Sequence, residues 1–170
     1  MHGEIHSLNI KNRQICGSGL PKDSVNRAYL SLEGFEGDFN HFRNQRYEKG
    51  KHSYEKFLSR AVSIYTHDMI NILREEGYPV SEGDLGENLT FKGIPYNLLK
   101  SGHKFRLGCE FNEVIIELTE SITPCKNLEE ELSYFKKLNP VSLLLNRRGW
   151  YARVLKTGFV KRGDIVVEVS

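Results

Sequence analysis

The sequence predicts an α+β domain that is predominantly β, and three observations carry that expectation. Short apolar runs recur along the chain, among them Ala61-Val-Ser-Ile-Tyr65, Glu113-Val-Ile-Ile-Glu-Leu-Thr119 and Asp164-Ile-Val-Val-Glu-Val169. Turn glycines separate them, notably Gly93, Gly102, Gly108, Gly158 and Gly163. Helical spacing is confined to a few short segments. Many short strands punctuated in this way point to a barrel or a sandwich. A chain of 170 residues suits a single domain, 1–170, with a core of its own.

Taken in order, residues 3–10 read as a strand that ends before the turn-rich Cys16-Gly-Ser-Gly-Leu-Pro21. Residues 26–32 read as a second strand, followed by the glycine-bounded turn Glu33-Gly-Phe-Glu-Gly-Asp38. The polar stretch 39–56, rich in Arg, His, Lys and Asn, reads as a long loop. After the strand at 61–65, Thr66 or His67 opens a helix. Met69, Ile70 and Leu73 share one face of it, and Gly77 is its stop. Residues 89–91, 104–107 and 113–119 are then strands. Asn127, with Glu130 three residues on, resembles a capping box ahead of Leu128, Leu132 and Phe135. Pro140 to Leu145 read as a second short helix, and 151–155 and 164–169 as closing strands.

Composition narrows the function. Hydrophobic residues are 39% and charged residues 27%, as in ordinary globular chains. No run approaches a membrane span, and Met1-His-Gly-Glu-Ile5 lacks a signal-peptide layout, so a cytoplasmic location is expected, with no membrane partner. A formal net charge of +2 gives no global field for nucleic acid. Basic residues do gather near turns: Lys11 and Arg13, Lys22, Arg43 and Arg46, Arg147 and Arg148. Three cysteines, none in a Cys-x-x-Cys pair, argue against a disulfide framework and a structural zinc site. His2 and His6 have i, i+4 spacing, but the alternation of Ile5, Leu8 and Ile10 makes the segment a strand, which separates them as a metal pair.

The strongest chemical candidate is Cys125, in Ile122-Thr-Pro-Cys-Lys-Asn127. Pro124 stiffens the turn, a helix start follows, and Lys126 adds a positive charge. All three favour the thiolate, which is the nucleophilic and metal-ligating form. Gly83-Asp-Leu-Gly-Glu-Asn-Leu-Thr90 is a tight polar turn entering a strand, and Asn88 offers both donors and acceptors. Gly17-Ser-Gly-Leu-Pro-Lys22 could cradle a phosphate but matches no nucleotide-binding pattern.

These stretches, in this order, resemble the MOSC domain, the module named after the C-terminal part of molybdenum cofactor sulfurases. The resemblance rests on Gly19-Leu-Pro-Lys22, Gly34-Phe-Glu-Gly-Asp38, Ala61-Val62 with Tyr65, and Gly83 with Gly86-Glu-Asn-Leu-Thr90. Further along it rests on Gly93, Gly102, Gly108, Pro124-Cys125, Arg148 to Val154, Gly158 and Gly163-Asp164. It implies a MOSC-type β-barrel with a few peripheral helices, and it makes Cys125 the family's characteristic cysteine.

The resemblance further implies binding of the molybdenum cofactor (molybdenum–molybdopterin), with the Cys125 thiolate as metal ligand and catalytic residue. The activity implied is reduction of N-hydroxylated compounds, with a separate electron-donor protein. Under this reading Lys22, Arg43, Arg46 and Arg148 meet the cofactor phosphate and Asn88 the pterin edge; Glu87 and Lys126 complete the cofactor-binding set. The alternative is a sulfur carrier, in which Cys125 takes persulfide sulfur from a separate PLP-dependent cysteine desulfurase; no PLP is expected in this chain. A second alternative is a non-catalytic binding domain. It is motivated by 39–56, where His41-Phe-Arg-Asn-Gln-Arg-Tyr47 replaces the family's common His-Gly-Gly stretch; His103, where the family commonly has Asp, reads as a turn detail rather than chemistry.

Overall fold

The computed structural model describes residues 1–12, 18–46, 51–109, 111, 113–124, 128, 132 and 140–170. Eleven strands lie among them: β1 (His2–Ile10), β2 (Asp23–Ser24), β3 (Arg27–Ser31), β4 (Gly34–Phe35), β5 (Val62–Thr66), β6 (Leu89–Lys92), β7 (Lys104–Leu107), β8 (Val114–Ser121), β9 (Trp150–Lys156), β10 (Gly158–Lys161) and β11 (Ile165–Val169). The described α-helices are α1 (Phe39–Gln45), α2 (His52–Leu58), α3 (His67–Glu75) and α4 (Pro140–Leu143).

Seven strands close into a barrel in the order β11-β7-β8-β9-β5-β6-β1, and β1 pairs back onto β11 through His2–Val167 and Glu4–Ile165. Closure removes the open sheet edges on which another chain could add a strand. β2 extends the end of β1, and β10-β3-β4 form a small separate sheet. The fold is therefore β-rich, with a barrel rather than a sandwich.

All barrel pairs are antiparallel except β5–β6, which run parallel from Ile64–Leu89 to Thr66–Phe91. Parallel neighbours need a crossover rather than a hairpin, and α3 supplies it. The helix starts where the sequence places it, with Thr66 as N-cap and Ile70 and Leu73 buried. Gly77, at φ +93°, ends it.

β5 is buried along its whole length, as a central strand covered on both faces must be. β8 alternates instead, with Val114, Ile116 and Leu118 inward. Phe91 and Phe105 meet edge to face inside the barrel at 5.7 Å between ring centroids.

The stretch 39–56 is not one loop, and here the structure corrects the sequence reading. Asp38 caps α1 by accepting the Asn40 amide at 3.1 Å. The helix buries Asn40, His41 and Asn44, and Asn44 Nδ2 donates to the Glu33 carbonyl at 2.7 Å. In α2, Tyr54 is buried and its hydroxyl donates to Glu33 Oε1 at 2.9 Å. Polar anchors thus do what an apolar stripe does elsewhere. The short β10 also falls where the sequence suggested only a turn at Gly158. The helix expected after Asn127 lies outside the described residues.

Candidate functional site, an arginine-lined cavity

The turn between α3 and β6 organises the site from behind. Glu87 is fully buried; its Oε1 accepts the Gly83 amide at 2.6 Å and the Thr90 hydroxyl at 3.3 Å. Gly83 has φ +91°, and a Cβ there would collide with the Lys22 carbonyl, so only glycine lets this turn meet the 18–22 segment. Asn88 stitches three strands together. Its Nδ2 donates to the Asn9 carbonyl at 3.1 Å, and its Oδ1 accepts the Ser63 amide at 3.2 Å. The Ser63 hydroxyl lies 3.0 Å from the same Oδ1.

Lys22 is buried as well. Its ammonium donates to both oxygens of Asp38, at 2.8 and 2.7 Å. Asp38 also accepts the amides of Lys11 and Asn40. Burial alone would raise the Asp38 pKa, but the Lys22 charge and these hydrogen bonds outweigh it and hold the carboxyl below its usual range. One ion pair thereby fixes the 18–22 segment against the start of α1.

In front of this scaffold lies a cavity of about 250 Å³. Gly19, Leu20, Phe39, Asn40, Ser63, Gly86 and Tyr151 line it. Ile122 and Thr123, which precede Cys125 in the sequence, also line it. Two arginines, Arg43 and Arg148, reach into it, and no carboxylate lines it among the described residues.

Arg148 is only 7% exposed, yet its Nε and Nη1 have no hydrogen-bond partner among the described residues. A buried guanidinium left that way is unfavourable unless something else completes its bonding. Its position is tightly held by the next residue. Gly149 has φ +107°, and a Cβ there would stand 2.6 Å from the Ile64 carbonyl oxygen. The Gly149 amide donates to the Tyr96 hydroxyl at 3.1 Å, and its carbonyl accepts the Ile122 amide at 2.8 Å. That last bond ties the Arg148 backbone to the segment entering Cys125.

Glu87 lies close enough behind the cavity to feel the Arg148 charge. Burial pushes its carboxyl up to about 7, against the opposing pull of the Gly83 hydrogen bond and Arg148. Its Oε2 has no hydrogen-bond partner among the described residues.

The structure thus sorts the predicted site residues. Arg43 and Arg148 line the cavity. Lys22, Glu87 and Asn88 are buried and are not among the cavity-lining residues; Lys22 is paired with Asp38, Glu87 Oε1 accepts the Gly83 amide, and Asn88 bonds Asn9 and Ser63. Arg46 stands exposed at the end of α1 and does not line the cavity. Cys125 and Lys126 lie outside the described residues. Ser63, Asn40 and Tyr151 are wall residues that the sequence reading missed. Ser63 carried only a strand signal, and Asn40 sat in the presumed loop. A larger cleft of about 510 Å³ between Arg27, Cys109 and Phe159 includes none of the predicted site residues.

The fold and this cavity define a MOSC-type barrel, and comparison with known proteins agrees. The MOSC domain model matches residues 39–167, and the chain belongs to that family. The fold is similar to that of the YuaD protein from Bacillus subtilis, with a TM-score of 0.76 and 21% identity over 98% of this chain and 94% of that one. It is also similar to YiiM from Geobacillus stearothermophilus, with a TM-score of 0.68 and 20% identity over 99% of this chain and 75% of that one. A curated protein named "Reductase" from Gibberella moniliformis is 31% identical over 111 residues, which is 63% of this chain. The match spans only 19% of that relative's length. Among the described residues, no helix is long and apolar enough to cross a membrane.

Proposed function

We propose that the chain binds the molybdenum cofactor at the arginine-lined cavity and works as a reductase of N-hydroxylated compounds. The observation that carries this reading is Arg148: a buried guanidinium with two nitrogens unpaired among the described residues, lining a cavity without a described carboxylate. Such a guanidinium suits a phosphate, which it can bind through paired N–H donors. Family membership and the name of the Gibberella relative support the choice of cofactor and reaction class.

The residues fit the group in charge and in donor type. Arg148 and Arg43 would hold the cofactor phosphate, and the Ser63 and Tyr151 hydroxyls and the Asn40 amide offer neutral polar contacts. At about 250 Å³ the described cavity is smaller than usual small-molecule sites of roughly 300–1,000 Å³, so it suits the anionic end of the cofactor. Cys125, two residues beyond the cavity-lining Thr123 in the sequence, would be the thiolate ligand of the metal.

When bound, the molybdenum centre supplies two-electron redox chemistry. Reduction of an N-hydroxylated compound to the amine and water consumes two electrons and two protons. A separate electron-donor protein supplies the electrons, and solvent supplies the protons. Glu87, with a carboxyl near neutrality, is held behind the cavity by Gly83 and serves as a brace rather than as a proton donor to substrate.

Two variants, purified from a host that makes the cofactor, test the reading. Cys125→Ser should lose molybdenum, and Arg148→Met should lose molybdenum and pterin together. Full molybdenum retention by Cys125→Ser would rule out the ligand assignment. A single-sulfur mass adduct on Cys125 after incubation with a cysteine desulfurase, in protein free of molybdenum, would favour sulfur transfer instead.

A further inference from the structure

A second cluster uses none of the cavity-lining residues. His6 on β1, His67 at the start of α3 and Glu82 in the following turn converge on one point. Glu82 Oε1 lies 3.1 Å from His67 Nδ1 and 3.5 Å from His6 Nε2. The two imidazole centroids are 4.2 Å apart, and the three ligand atoms lie within 4.8 Å of one another.

We propose that His6, His67 and Glu82 form a three-ligand site for a divalent cation of borderline softness, zinc foremost. Bonds of about 2.0–2.2 Å in a tetrahedral site place neighbouring ligand atoms roughly 3.3 Å apart. The two nitrogen-to-oxygen separations bracket that value. Two histidines and one glutamate, with a position left for water, are a known zinc ligand set. The three side chains are half-buried, with side-chain exposures of 32%, 23% and 19%, so an ion can enter and keep a water.

The surroundings orient the ligands. Arg74 donates to Glu82 Oε2 at 3.1 Å, which leaves Oε1 turned toward the imidazoles. Desolvation by burial, followed by His67, keeps His6 below its ordinary pKa. Against the effect of burial, a backbone hydrogen bond at Glu82, followed by Arg74 and His67, holds the Glu82 carboxyl below the usual carboxylate range. Lys92 and Arg162 also face His6 and oppose a cation. Their presence argues for a site of moderate affinity.

The three ligands come from the N-terminal strand, the start of α3 and the turn that follows it. An ion there would pin the N-terminal strand to α3 and to the turn that ends at Gly83 and Glu87. The sequence offered His6 only in combination with His2, and strand geometry separates those two. His67 is brought to His6 by the β5–α3 junction, which a local spacing pattern does not reveal.

The test uses zinc and cobalt(II) salts with the full chain. Titration calorimetry should give one zinc per chain at this site, and saturating zinc, at about 100 times the dissociation constant, should raise Tm by roughly 5–10 °C. Cobalt should give visible ligand-field bands without a thiolate charge-transfer band, which separates this site from the cysteines. His6→Ala and His67→Ala should each weaken zinc binding at least about tenfold, and Glu82→Gln should do so while keeping its contact with Arg74. Arg148→Met should change none of this. Zinc binding that survives the His6→Ala/His67→Ala double variant, or cobalt bands of purely thiolate origin, would overturn the proposal. Failure here leaves the cofactor reading untouched, since no residue is shared.

Discussion

The Arg148 guanidinium acts on the buried carboxyl of Glu87, and each carries a buried polar atom with no hydrogen-bond partner among the described residues. The cavity therefore has a charged front and a nearly neutral back. Arg148 faces the space a ligand would take, while Glu87 holds the Gly83 turn from behind.

Arg148→Met separates binding from stability. Loss of a charge-assisted contact costs about 1.5–3 kcal/mol in all when water can replace part of it, so affinity for inorganic phosphate should fall at least roughly 10–100-fold. Stability should stay level or rise slightly, because a buried charge without partners is itself unfavourable. Phosphate titration followed by phosphorus NMR, together with a thermal melt, reads both. A large loss of Tm with unchanged phosphate affinity would make Arg148 structural.

Glu87 should give stability an unusual pH slope. Its carboxyl titrates near 7 in the fold against 4.5 unfolded, so the folded chain keeps a proton that the unfolded chain has lost. This stabilisation is complete below about pH 4.5 and disappears as pH rises through about 7. Its full size is about 3 kcal/mol. Glu87→Gln imitates the protonated form, so urea unfolding between pH 5 and 8 should show a flatter slope in the variant. Parallel slopes would contradict the assignment.

Lys22 should behave as a structural cation. Lys22→Met leaves Asp38 buried and unpaired, and should destabilise by about 3–5 kcal/mol. Adding Asp38→Asn removes the stranded charge but keeps an acceptor oxygen for only one of the Lys11 and Asn40 amides, which bond different carboxylate oxygens, so the double variant should regain part of the loss. Denaturant midpoints for the two variants decide this. Strong phosphate loss in a Lys22→Met protein of normal stability would instead restore Lys22 to the ligand.

Much of the barrel was legible because its signals are local. Residues 104–107 form the strand the sequence marks, and α3 begins at its polar cap and ends at its glycine. The 39–56 stretch was not legible because α1 buries asparagines and a histidine through hydrogen bonds, which leaves no apolar period to read. Lys22 was legible as a cation near glycines. Its partner is 16 residues away, and only the fold brings the two together. Arg148 could be picked out by its place in the family pattern, whereas its unpaired nitrogens required the surrounding strands.

Gly149→Ala probes how Arg148 is aimed. The substitution meets the Ile64 carbonyl and a left-handed backbone conformation at once. It should destabilise by about 1–3 kcal/mol and weaken phosphate binding, without removing any ligand-contacting group. Normal phosphate affinity in a destabilised Gly149→Ala protein would show that the guanidinium is not positioned through this backbone.

The most direct measurement is the molybdenum and pterin content of the wild-type chain purified from a host that makes the cofactor. The account predicts molybdenum and oxidised-pterin fluorescence in equal amounts approaching one per chain, with both lost in Arg148→Met. Protein that is folded and monodisperse but carries neither molybdenum nor pterin would contradict it.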